Sequence, residues 1–119
     1  MPQITVEYSA EIADSFDRRG FALALHPVLA EVAGTGVAGF KTRFVPLDDV
    51  VIGDGAPGVA MVHVRIGLLS GRTGETKKAV SDVAQVVLGK HLSPASAVQV
   101  SVEIVDMDSG SYTKRVVGG

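Results

Sequence analysis

Residues 58–105 read GVAMVHVRIGLLSGRTGETKKAVSDVAQVVLGKHLSPASAVQVSVEIV. The period of the apolar residues changes twice along this stretch. From about 58 to 69 nearly every position is apolar, as in a strand in the middle of a sheet. Ser70-Gly71-Arg72-Thr73-Gly74 then turns the chain. From about 73 to 92, Val80, Val83, Ala84, Val87 and Leu88 recur at three and four, the stripe of an amphipathic helix, and Ser93-Pro94 stops it. From about 97 to 105 the pattern alternates strictly: Val98, Val100, Val102 and Ile104 against Gln99, Ser101 and Glu103, a strand with two unlike faces. The unit is strand, helix, strand.

The N-terminal half carries the same unit, about 55–60 residues earlier. Ile4, Val6 and Tyr8 alternate with Gln3, Thr5 and Glu7 in a strand over 3–8. Ser9 to Asp14 reads as a turn with helix-start residues. Phe21, Leu25, Val28, Leu29 and Val32 give a helix over about 14–32, with Pro27 inside it as a kink or a new turn. Gly34-Thr35-Gly36 ends that helix. A strand over about 38–47 follows, with Phe40, Thr42 and Phe44 on one face and Lys41, Arg43 and Val45 on the other. Asp48 to Gly58 is a loop.

The order β-α-β-β-α-β predicts an α+β domain: a four-stranded mixed sheet with two helices on one face. Val, Met and Ile on both sides of the strands imply that the second face is covered too, most simply by other subunits. The 119 residues fit a single domain, 1–119, in which 106–119 reads as a polar, loosely held tail.

Composition narrows the function. Lys+Arg 11 against Asp+Glu 13 gives a net charge of -2, which argues against a nucleic-acid partner. The chain has no cysteine, hence no disulfide, no thiolate metal site and no cysteine nucleophile. No apolar run approaches a membrane span and no signal peptide opens the chain, so the expectation is a cytoplasmic protein. With few aromatics the core is expected to be aliphatic.

Familiar motifs fail on context. Gly34, Gly36 and Gly39 match G-x-G-x-x-G, but they end a helix and open a strand instead of opening a helix, so no dinucleotide site is expected. Gly39-Phe-Lys41-Thr42 resembles the end of a phosphate loop with one residue inserted. His26, His63 and His91 have no metal spacing, and no metal or cofactor is expected. His91 reads as a helix C-terminal cap, and His63 as a satisfied core or interface histidine. Glu103 is offered Arg43, Arg65 or Arg72 as a partner.

What remains is Pro2 with Lys41, Arg43 and Arg72. Removal of Met1 would leave Pro2 as a terminal secondary amine. Burial and nearby cations both disfavour the protonated form of an amine. A neutral amine near pH 7 is a usable general base. The basic residues would bind a substrate carboxylate and stabilise an enolate oxygen. Arg72 stands just before the second helix, whose dipole adds to its charge.

These residues resemble a known family. Met1-Pro2 before an alternating strand, His26-Pro27-Val28-Leu29, Gly39-Phe-Lys41-Thr-Arg43, Val62-His63-Val64 and Gly71-Arg72-Thr73-Gly74-Glu75-Thr76-Lys77-Lys78 look like 5-carboxymethyl-2-hydroxymuconate Δ-isomerase. That family belongs to the tautomerase superfamily, with 4-oxalocrotonate tautomerase and macrophage migration inhibitory factor. The likeness runs from Met1 to about Asp106. It implies a homotrimer without cofactor, acting in aromatic compound catabolism on a small unsaturated 2-hydroxy or 2-oxo acid. It also implies Pro2 as the catalytic base and Arg72 as a substrate-binding arginine. Lys41 falls where the family usually has arginine, with Arg43 two residues on; lysine keeps the charge and loses the planar fork.

Two other readings share the fold. A dehalogenase or hydratase would use the same proline and add a water-activating carboxylate, for which Glu7 and Glu103 are the candidates. A non-catalytic trimeric pseudoenzyme or metabolite-sensing module would bind through the same cations without turnover.

Overall fold

The computed structural model describes residues 1–119. Strand β1 is Gln3–Ser9, followed by a 3₁₀ segment, Ala10–Ser15, and helix α1, Arg18–Ala33. A 3₁₀ turn, Val37–Gly39, leads into β2, Lys41–Leu47; β3 is Val59–Leu69, α2 is Gly74–Gly89 and β4 is Ala97–Met107. The sheet order is β2-β1-β3-β4. β1 runs parallel to β2 and antiparallel to β3, and β3 runs parallel to β4. The mixed sheet and the two helices are those expected from the sequence.

The helices begin and end at local signals. Asp17 caps α1 by accepting from the Gly20 N–H at 3.1 Å. Gly34 closes α1 with φ +68°, a left-handed conformation that glycine adopts without a Cβ penalty. Thr73 caps α2 by accepting from the Thr76 N–H at 3.1 Å. α1 runs without a break through Pro27, which with Leu23 lies on the solvent side, where a lost backbone bond is cheapest.

Both helices bury their stripes on one face of the sheet. Ile4, Val6, Val62, Val64 and Ile66 from the strands meet Phe21, Leu25, Leu29, Val80, Ala84 and Leu88 from the helices in one core cluster. Each such side chain contributes roughly 1.5–3 kcal/mol through burial. The core is mainly aliphatic, with one aromatic knot: Phe16 meets the rings of Tyr8, Phe21 and Phe44 at centroid distances of 5.8–6.0 Å.

Several expectations shift. α1 starts at Arg18, because residues 10–15 take a 3₁₀ path before Asp17 supplies a cap. β2 starts at Lys41, because Val37–Gly39 forms a tight turn. α2 stops at Gly89, before Ser93-Pro94, and β4 continues to Met107. The second sheet face is polar at its centre, with Val45, Met61, Leu69, Val105 and Met107 around that centre on the same face. Thr5, Glu7, His63, Arg65, Ser101 and Glu103 occupy the positions that alternate with the core residues. The apolar run of β3 places its side chains in the core at even positions only.

Candidate functional site

The topology gathers the expected residues at the start of the chain. In register, Gln3 of β1 faces Lys41 of β2, and the Lys41 N–H donates to the Pro2 carbonyl at 3.2 Å. The Pro2 side chain is fully buried. Met1 in front of it is only half-buried. Gly39 forms one wall: a β-carbon added there would stand 2.4 Å from the Met1 nitrogen, so the close approach requires glycine. The Lys41 ammonium donates to the Gly39 carbonyl at 3.3 Å.

Arg72 is held from the opposite side. Its Nε and Nη2 donate to the Ala33 carbonyl at 3.2 Å each, and Nη1 donates to the Leu69 carbonyl at 3.0 Å. Ala33 is the last residue of α1, so the guanidinium satisfies a carbonyl that the helix leaves without a partner. Two N–H groups of the planar fork remain free for a ligand. Arg72 therefore both ties the end of α1 to the β3–α2 turn and stands at the chain start.

The terminal amine of Met1 registers these surroundings. Its pKa is lowered from the ordinary value of 8.0, first by desolvation and then by the charges of Lys114, Lys41 and Arg72. Lys41 and Arg72 thus act on the Met1 amine. Arg43 does not. It faces the same side of β2, and its Nη2 donates to Gln3 Oε1.

Sequence reasoning missed three residues here. Gln3 uses both ends of its amide, accepting from Arg43 and donating through Nε2 to the Tyr112 hydroxyl at 3.0 Å. Tyr112 and Lys114 lie in the tail, which packs back across the chain start instead of hanging free. The Lys114 ammonium is 3.9 Å from Met1 Sδ. One aromatic and one cation just beyond the last strand were the available signal.

The other singled-out residues lie elsewhere. His63 contacts Ser101 Oγ through Nδ1 at 2.6 Å and Glu103 Oε1 through Nε2 at 2.8 Å. That contact, helped by the charges of His63 and Arg65, outweighs desolvation and holds the Glu103 carboxyl below its ordinary pKa. Arg65 stands opposite Glu103 in register, so Glu103 has His63 and Arg65 as neighbours rather than Arg43 or Arg72. Glu7 faces His63 in the same cluster, roughly 13 Å along β1 from Gln3. Neither carboxylate stands beside this chain's own terminus. His91 donates from Nδ1 to the Val87 carbonyl at 2.8 Å, the C-terminal cap expected of it.

The largest groove of the chain, about 600 Å³, lies between α1 and the edge of β2, with Arg18, Arg19, His26, Thr42 and Phe44 in its lining. Its polar groups are mostly engaged. His26 Nε2 meets Thr42 Oγ1 at 2.7 Å, and burial lowers the pKa of His26. Arg18 donates to the Ala13 carbonyl at 3.0 Å and lies over the Tyr8 ring. No group of His, Asp or Glu side chains could hold a metal ion, and no helix is long and apolar enough to cross a membrane.

The sequence model of the family described as 5-carboxymethyl-2-hydroxymuconate isomerase matches residues 2–116. No curated protein matches the sequence significantly. Among solved structures, a 5-carboxymethyl-2-hydroxymuconate isomerase from Deinococcus radiodurans R1 is similar with a TM-score of 0.83 and 25% identity, over 96% of this chain and 88% of that one. A 5-carboxymethyl-2-hydroxymuconate delta-isomerase aligns with a TM-score of 0.82 and 16% identity, over 98% of this chain and 89% of that one. A fused 4-OT described as a wild type symmetric trimer aligns with a TM-score of 0.74 and 15% identity, over 95% and 93%.

Proposed function

Because the chain belongs to the 5-carboxymethyl-2-hydroxymuconate isomerase family, we propose that it is a cofactor-independent isomerase whose base is the amine of Pro2, freed by removal of Met1. One observation carries this reading. The Met1 amine, one residue ahead of Pro2, is partly desolvated, and the charges of Lys114, Lys41 and Arg72 lower its pKa, so a Pro2 amine beside it would meet the same cations. The substrate class is a small unsaturated 2-hydroxy or 2-oxo acid.

The chemistry follows from that setting. In its neutral form the free amine takes a proton from the substrate's hydroxyl or carbon. The resulting dienolate carries its charge on oxygen, where the free N–H groups of Arg72 and the Lys41 ammonium stabilise it. The ammonium then returns the same proton to a different carbon. Amine and substrate composition are both restored, and only a double bond has moved.

The proposed assembly is a homotrimer. β2 and β4 are unpaired edges, and the fused 4-OT relative is a symmetric trimer. Neighbouring subunits would close a site that is open in one chain.

The test is intact mass and turnover together. Purified protein should lose about 131 Da, one methionine residue. The processed form should ketonise phenylenolpyruvate or 2-hydroxymuconate, and Pro2→Ala and Arg72→Ala should each reduce kcat. Retained Met1, which leaves Pro2 with an amide nitrogen, together with absent turnover, would favour the non-catalytic binding module.

A further inference from the structure

The C-terminal tail is fastened at two places. Beyond β4, Ser70 Oγ donates to Ser109 Oγ at 3.1 Å, and the Ser109 N–H meets Ser70 Oγ at 3.1 Å. This joins the tail to the turn that carries Arg72. The chain then reverses: the N–H groups of Ser111 and Tyr112 donate to the Asp108 carbonyl at 3.2 and 3.0 Å, and Ser111 Oγ donates to Asp108 Oδ2 at 2.7 Å. The second fastening is the Tyr112 hydroxyl on Gln3, which Arg43 holds from its other end.

These fastenings deliver Lys114 to the chain start. Its ammonium makes no ion pair within the chain. Its one partner is the Met1 sulfur, at 3.9 Å. The other two cations of the site are partly committed, Lys41 to the Gly39 carbonyl and Arg72 to Ala33 and Leu69. Lys114 is exposed, and once Met1 is removed its ammonium stands beside the volume that the methionine had filled. An exposed ammonium with three donors and no ion-pair partner is available to an acidic group of a bound ligand.

We infer that Lys114 is a specificity-determining residue that binds an acidic group on the substrate, a carboxylate distant from the enolate oxygen held by Arg72. This rests on the reading of the chain start as a substrate site. It makes the tail part of the enzyme's selection of diacids over monoacids. It also explains why the tail is anchored to the sheet through Gln3.

The test compares the processed full-length protein with Lys114→Ala and Lys114→Arg. 2-Hydroxymuconate carries two carboxylates and phenylenolpyruvate carries one. Measured on the pH plateau of each variant, where the charge lost from beside the base no longer matters, Lys114→Ala should raise KM for the diacid about tenfold and move KM for the monoacid less than about twofold, a charge contact being absent there. Lys114→Arg should restore most of the loss. Equal losses on both substrates, or none on either, would overturn the assignment. If the wild-type protein turned over neither acid, the isomerase reading would fail on its own account. Calorimetry with cis,cis-muconate, a dicarboxylate without the enol, would still decide the role of Lys114. Binding about tenfold weaker in Lys114→Ala supports it; equal binding, or none to the wild type, removes it.

Discussion

Pro2 combines three properties that a terminal base needs: a side chain packed in the core, a carbonyl fixed by the Lys41 N–H, and cations around the nitrogen in front of it. The direction of the pKa shift sets the pH dependence. An amine accepts a proton only when neutral, so kcat/KM should rise with pH through a pKa that the surrounding cations hold below that of an ordinary N-terminal amine, and then level off. Replacing Lys41 with methionine removes one of the charges that oppose protonation. The rising limb should then move to higher pH, and a pH–rate profile of the two proteins reads this directly. A limb that stays in place would show that Lys41 does not act on the base. Gly39 belongs to the same scale. A β-carbon there points at the volume in front of Pro2. Gly39→Ala should therefore cut kcat/KM about tenfold while Tm stays within a few degrees, because no core packing is touched.

At the scale of the element, the ends of the helices position the site. α1 ends at Gly34 in a left-handed conformation, and Arg72 ties the last carbonyl of that helix to the start of α2. Gly34→Ala should lower stability by about 1 kcal/mol, read as a lower urea midpoint with an unchanged slope. Phe21→Ala, at a fully buried position, should cost about 3–5 kcal/mol in the same measurement. The alternating runs made the strands and the helix stripes legible in the sequence, since a period of two or of 3.6 follows directly from which face is buried. The 3₁₀ segments were not legible: residues 10–15 and 37–39 are fixed by local turns that leave no period. β3 misled in another way. Its odd positions include Met61 but also His63 and Arg65, and those two set the character of the open face. Of the residues that the fold gathers at the chain start, Pro2, Lys41 and Arg72 could be named from the sequence. Arg43 was drawn away by Gln3, and Tyr112 and Lys114 escaped because their place depends on a tail that folds back over about 110 residues of chain separation.

At the scale of the molecule, the chain is more spread out than a free-standing domain. Its radius of gyration is 15.3 Å, against about 13.5 Å for a compact chain of this length. The sheet is covered on one face only, and both edge strands are free to pair. A subunit of an assembly has this shape. Sedimentation equilibrium should give about three times the chain mass of 12.3 kDa. A monomer at micromolar concentration would contradict the proposed assembly. A titration of the Pro2 nitrogen by ¹⁵N NMR in protein labelled at proline reads out whether the protein's base is its own first amine. The expected result is a secondary amine whose shift titrates with a pKa below that of an ordinary N-terminal amine, matching the limb of the pH–rate profile. A Pro2 nitrogen with the shift of an amide, or an amine that titrates at or above the ordinary range, would contradict it.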